Sequence, residues 1–330
     1  MKRLKLTGFL GIGLSCVVFA FVASAQQTGS EPGYPTKPIT LIVAQSAGGS
    51  TDMGARVLAA IAEKDLGQPI IVVNRVGGGG QIGWTELARQ KPDGYSLAVV
   101  NLPALNTVTL NPDRKAAFGL DAFEPIANQI LDQGIITVRP DSPYKNLQDL
   151  ITDAKKNPGK IRVGTTGLLS HAHFGLLSLQ EAAGVKLRTV QMEGSPAIAM
   201  ALMGGHVDVG IDRVGSWATR VRAGDLRGLA VLDRERSKFV PGVPTSAEQG
   251  FPDVVTASAA GIVGPKGIPD PILRKLEAVF RKAIESPEHV EKIEKTGQRI
   301  KPMGRSEYAD YMRDWQNRTR RLLELAAKAE

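Results

Sequence analysis

Short apolar runs alternate along this chain with segments in which apolar residues recur every three or four positions. Residues 39–44 form a continuous apolar run. Residues 45–51 are small and glycine-bearing, and from Asp52 the positions Met53, Val57, Leu58 and Ile61 repeat with helical spacing as far as Gly67. The pattern predicts a buried strand, a tight loop, and a helix capped by Ser50, Thr51 or Asp52 and ended by Gly67. A second strand at 70–73, a glycine loop at 77–80, a helix at 82–90, a turn at 92–94 and a third strand at 96–100 continue the alternation. Such alternation predicts a largely parallel sheet covered on both faces.

Residues 103–124 read as irregular, and the β-branched run 134–138 opens a second alternating series. It comprises a helix at 147–156, strand 161–164, loop 165–170, helix 171–183, strand 187–190, loop 191–195, helix 196–203 and strands at 207–211 and 229–232. After an apolar run at 258–263 the chain ends in amphipathic helices. Their stripes hold Leu273, Leu276, Val279 and Phe280, then Tyr308, Met312, Trp315, Leu322 and Leu323. A helical tail without new strands must cover an existing sheet, expected to be that of the first unit.

The first 25 residues stand apart: Lys2, Arg3 and Lys5 precede an apolar run that ends in Ala23-Ser24-Ala25. This is the pattern of a cleaved export signal, with cleavage expected before Gln26 and a polar tether over 26–33. A lipid anchor on Cys16 is disfavoured, because Gly13 rather than Leu precedes it by three residues and apolar residues follow it. Cleavage removes the single Cys and lowers the formal charge from +8 to +5. A cysteine-free exported chain suits the periplasm, and so small a surplus over 42% apolar and 22% charged residues argues against a nucleic-acid partner.

Ala47-Gly48-Gly49-Ser50-Thr51-Asp52 follows a strand and opens a helix, where free N–H groups and the helix dipole favour an anion. It is neither a Walker loop nor a dinucleotide fingerprint. Residues 165–170 repeat the same logic in the second unit, so two such loops facing each other can hold one ligand. Gly49 is expected to admit no side chain, both for close approach and for its dihedrals. Ser170, His171 and His173 with Asp208 or Asp212 invite a hydrolase reading, yet no G-x-S-x-G elbow is present. The histidines, His206 included, are too poorly spaced for a zinc site. Asp208 and Asp212 straddle a predicted strand on one face, with Asp212 at its cleft end. The basic run Arg220, Arg222, Arg227, Arg234, Arg236 and Lys238 reads as a solvated face, and Trp84 and Trp217 as packing residues.

Tyr34-Pro35-Thr36-Lys37-Pro38-Ile39, Gly48-Gly49-Ser50-Thr51-Asp52 with Arg56, Asn74-Arg75, Pro92-Asp93-Gly94-Tyr95, Gly205-His206-Val207-Asp208-Val209 and Pro241-Gly242-Val243-Pro244-Thr245 follow one another in a familiar order. The chain resembles the Bug receptors, the extracytoplasmic solute-binding proteins of tripartite tricarboxylate transporters. The resemblance implies an α/β periplasmic binding protein of two lobes, type II-like, joined by crossing hinge strands. Lobe one would span 34–132 and return over 253–330, and lobe two would span 133–252. It further implies a non-enzymatic, monomeric receptor without cofactor or metal. Such a receptor closes on a small organic, amino or aromatic acid and serves membrane permease subunits or a sensor kinase. Carried over, the ligand residues are Ser46, Ala47, Gly48, Gly49 and Ser50 with Asp52 supporting, and Thr166, Gly167, Ser170, His171 and Ala172 opposite, joined by Glu193 and Asp212.

Three departures bear on the ligand: Leu169 stands where Gly is usual, Gln45-Ser46 where Pro-Phe is frequent, and Gln191-Met192-Glu193-Gly194 where the family has Pro-Tyr-Lys-Gly. Glu193 reverses the local sign and is expected to disfavour extra negative charge on the ligand.

Overall fold

A computed structural model describes residues 33–192 and 194–329. The export signal, its cleavage point, Cys16, Glu193 and the tether up to residue 32 lie outside the described residues.

The chain begins with β1 (Ile39–Val43), α1 (Ser50–Leu66), β2 (Ile70–Asn74), α2 (Gln81–Ala88), β3 (Ser96–Leu102) and α3 (Ala104–Leu110). β1 lies between β2 and β3, parallel to both. Next comes β4 (Phe123–Val138), sixteen residues long, where the sequence pattern predicts only 134–138. Its first part is punctuated by Pro125, Asn128, Gln129, Asp132 and Gln133, which hides the strand. Pro125 cannot donate to a ladder, and the register shifts beside it and again between Asn128 and Ile130. The amide nitrogens find partners on other elements: Asn128 donates to the Lys301 carbonyl at 2.8 Å and Gln129 to the Gly54 carbonyl at 2.9 Å, while the Asn128 Oδ1 is buried without a partner among the described residues.

The second unit follows with α4 (Leu147–Lys156), β5 (Arg162–Thr165), α5 (His171–Ala183), β6 (Arg188–Gln191), α6 (Gly194–Met203), β7 (Val209–Arg213), α7 (Val214–Ala223) and β8 (Arg227–Leu232). β5 is parallel to β6 and β7, while β7 and β8 are antiparallel to the second part of β4. The chain returns through β9 (Ala257–Pro265), which lies antiparallel between β3 and the first part of β4. It ends in α8 (Asp270–Glu285), α9 (Pro287–Glu294), β10 (Ile300–Met303) and α10 (Arg305–Ala329). The sheet is therefore mixed rather than largely parallel. Only the four βαβ-type pairings are parallel, because β4 and β9 run in opposite directions through the middle.

Two lobes result, and β4 belongs to both. The crossing is tied where Gly134 N–H donates to the Thr256 carbonyl at 2.9 Å and Thr256 N–H to the Leu232 carbonyl at 3.0 Å. Position 134 must be glycine here, since a Cβ would sit 2.5 Å from Thr256 Cγ2. Each lobe buries both faces of its sheet. In lobe one, α1 and α8 cover one face with Leu58, Leu276 and Phe280, and Trp84, Tyr308 and Trp315 fill the other. Each large apolar side chain so buried contributes about 1.5–3 kcal/mol. In lobe two, Phe251 and Leu150 belong to one layer and Trp217 to the other. The terminal helices cover lobe one as expected, and α10 also reaches α5 of lobe two, where Arg321 pairs with Glu181 at 2.7 Å.

Candidate ligand-binding site

In lobe one, the loop after β1 is organised by a buried carboxylate rather than by a capped helix start. Asp52 Oδ2 accepts from Gly48 N–H at 2.9 Å and from Arg56 Nε at 3.0 Å, and Oδ1 accepts from Asn74 Nδ2 at 2.9 Å. The same Asn74 amide donates to the Gln45 carbonyl at 3.0 Å. Burial alone would raise the Asp52 pKa, but these bonds from Arg56, Gly48 and Asn74 outweigh it and hold the carboxyl below its ordinary range. The expected cap at Ser50, Thr51 or Asp52 is corrected: Gly49 occupies the N-cap position and no side chain caps the helix. The reason is that Asp52 turns back to the loop. The first-turn N–H groups of Ser50 and Thr51 are consequently available to an anion.

The left-handed position of this loop is one residue earlier than the sequence pattern predicts. Gly49 has ordinary extended backbone at φ −72°, whereas Gly48 sits at φ +76° in the left-handed region. A side chain at Gly49 meets only the Ser46 carbonyl, 3.1 Å from its Cβ. Ser46 and Ala47 are exposed on the same loop.

In lobe two, Thr166 and Gly167 lead to Ser170, whose Oγ accepts from His173 N–H at 3.2 Å and from Thr166 Oγ1 at 3.2 Å. Ser170 is thus a helix cap, as a hydrolase nucleophile would not be, and the His171 and Ala172 N–H groups begin α5. His173 is buried, with Nδ1 accepting from Leu169 N–H at 3.0 Å. Leu169 holds φ +58°, unusual for a branched side chain, and its side chain belongs to a cluster that joins Leu105 and Val108 of α3 with Phe174 and Leu177 of α5. Its carbonyl accepts from Thr107 Oγ1 at 3.3 Å, which brings the lobe-two loop onto lobe one.

Asp208 and Asp212 do not flank one strand. Asp208 precedes β7 and grips Arg162, accepting from its backbone N–H at 2.8 Å and from its guanidinium at 2.7 Å. Asp212 lies inside β7, fully buried, because the strand runs two residues further than the sequence pattern predicts. His171 Nε2 stands 3.4 Å from Asp212 Oδ1, and Arg213 Nε 3.9 Å. Burial opposes the charge on Asp212, but His171 and then Arg213 outweigh it and keep its pKa low. The sequence pattern did not single out Asn101, Asn106, Thr107 or Arg213. Asn101 reaches Thr51 Oγ1 at 3.2 Å from the end of β3, and a polar amide closing an apolar strand was the available signal.

Much of the basic run is engaged within the chain. Arg227 donates to the Pro140, Ser142 and Tyr144 carbonyls, Arg236 pairs with Glu248, and Lys238 with Glu294. Trp84 and Trp217 are both buried in packing. A cavity of about 710 Å³ lies between α5, β6 and α10, lined by Leu168, His173, Lys186, Arg188 and Leu325. Among its lining residues are Leu168 and His173 of the lobe-two loop and helix start, and none from the lobe-one loop.

A model of the tripartite tricarboxylate transporter family receptor matches residues 54–327. The chain belongs to that family. A UPF0065 protein from the gbd 5′ region of Cupriavidus necator is 32% identical over 327 residues, covering 98% of either chain. Among solved structures, a TctC solute-binding protein from Polaromonas superposes with a TM-score of 0.80 at 29% identity, covering 88% of this chain and 99% of that one. MatC from Rhodopseudomonas palustris with bound malate gives 0.72 at 28% identity, covering 88% and 99%. An R. palustris protein with adipate gives 0.72 at 27%, covering 90% and 98%. The receptor shares their two-lobed periplasmic binding fold and is a solute-binding protein, not an enzyme.

Proposed function

We propose that this receptor captures a small carboxylate in the cleft between its lobes, by closure about the β4 and β9 crossings, and passes it to membrane permease subunits of a tripartite transporter. The observation that carries the reading is a matched pair of helix starts. α1 and α5 each follow a loop at the carboxyl end of a parallel strand, one in each lobe, and each presents first-turn N–H groups. In the proposed complex the lobe-one loop, Ser46 through Ser50, and the lobe-two residues Thr166, Gly167, Ser170, His171 and Ala172 share the ligand. Asp52 fixes the first loop without touching the ligand. The malate and adipate in similar receptors support a carboxylate ligand. The receptor acts in the periplasm as a monomer after loss of the leader before Gln26.

A thermal-shift screen over organic, amino and aromatic acids tests this. A true ligand at about 100 times its Kd adds roughly 2.7 kcal/mol and raises Tm by several degrees. A panel in which no acid shifts the melt, with calorimetry equally silent, rejects the reading.

A further inference from the structure

We infer that the lobe-two wall of the cleft receives a cationic nitrogen, so that the captured acid is an amino acid whose ammonium group sits against Asp212. This rests on the carboxylate-capture reading above and narrows it. Asp212 is 0% exposed, and neither of its oxygens has a well-aligned hydrogen bond among the described residues, with the Ser195 hydroxyl the nearest neutral donor beside it. A carboxylate has acceptors only, so a buried one is completed by donors. His171 Nε2 at 3.4 Å and Arg213 Nε at 3.9 Å are close enough to favour its charge, yet both nitrogens are themselves buried without a hydrogen-bond partner.

The position is right for a ligand contact. His171 opens α5 beside the lobe-two loop, and Asp212 is next to last in β7, at the same edge of the sheet where β5 delivers Thr165 to that loop. Across the junction, lobe one contributes further buried acceptors without partners, Gln45 Oε1 and Asn101 Oδ1. An ammonium group brings three donors and a matching charge. A hydroxyl brings one donor and no charge.

Calorimetry on the full mature chain with two matched series decides the matter: glutamate, 2-hydroxyglutarate and glutarate, and leucine, 2-hydroxy-4-methylpentanoate and 4-methylpentanoate. In the series that binds, the amino acid is expected to bind at least ten-fold tighter than its deamino analogue. Asp212→Asn is expected to weaken the amino acid at least ten-fold and to tighten the deamino acid, reversing the order. Deamino acids bound as well as or better than amino acids by the wild type overturn the ammonium assignment and leave carboxylate capture standing. Loss of all binding across both series, repeated over the acid panel, removes both. The wild-type comparison stands by itself should Asp212→Asn fail to fold.

Discussion

Asp52 is the residue on which the lobe-one loop depends, because its two oxygens gather Gly48, Arg56 and Asn74. Asp52→Ala leaves the Gly48 N–H without its acceptor and the Asn74 amide with the Gln45 carbonyl alone. With charge-assisted bonds lost, unfolding free energy is expected to fall by about 2 kcal/mol and carboxylate affinity by at least ten-fold. Urea titration and calorimetry on the same preparation check this, and unchanged affinity in a folded variant removes the loop from the site. At this scale the sequence was partly legible. The strand, glycine loop and helix start were readable as such, but which residue caps and which supports depended on Asn74, twenty-two positions downstream of Asp52.

At the scale of elements, β4 carries a second consequence. Asp132, on the lobe-one side of the crossing, is buried and accepts from Gly215 N–H, at the start of α7, at 3.1 Å. Burial pushes its pKa up to about 7, with Asp212 adding to the rise and Arg213 and Gly215 opposing it. A carboxyl raised in the native state binds more protons folded than unfolded between its ordinary value near 4 and about 7. Its contribution is full below pH 4 and is lost as pH rises through 7. Asp132→Asn keeps the acceptor for Gly215 and removes the titration, so its stability relative to wild type should be greater at pH 8 than at pH 5. Urea melts at the two pH values read this directly, and equal differences at both would refute it. No local pattern marks this group: the strand was hidden by its own polar residues, which are needed because partners from other elements bury them.

For the whole molecule, the contact of Leu169 with α3 is one of the ties between the lobes, beside the packing of α10 on α5 and the Arg321–Glu181 pair. A leucine at φ +58° costs about 1–2 kcal/mol of backbone strain, and burying its side chain returns about 2 kcal/mol. Leu169→Gly should therefore change stability by no more than about 1 kcal/mol while loosening one of the ties between the lobes. Small-angle scattering is expected to show a larger radius of gyration for the unliganded variant than for wild type, and contraction of both on saturation with a bound acid. A ligand that leaves both radii unchanged argues against closure.

The chain's periodicity by itself determined the parts: helices at 147–156 and 171–183 form with those bounds, and the repeated order of strand, loop and helix placed both candidate loops. That follows because amphipathic spacing and glycine loops are local properties. The tertiary structure decided what those parts do together. It made β4 a shared strand with polar residues that other elements bury, carried β7 on to Arg213 so that Asp212 is fully buried near its end, and set Leu169 against the opposite lobe. Burial and hydrogen-bond satisfaction depend on neighbours far away in sequence, so no window of the sequence contains them.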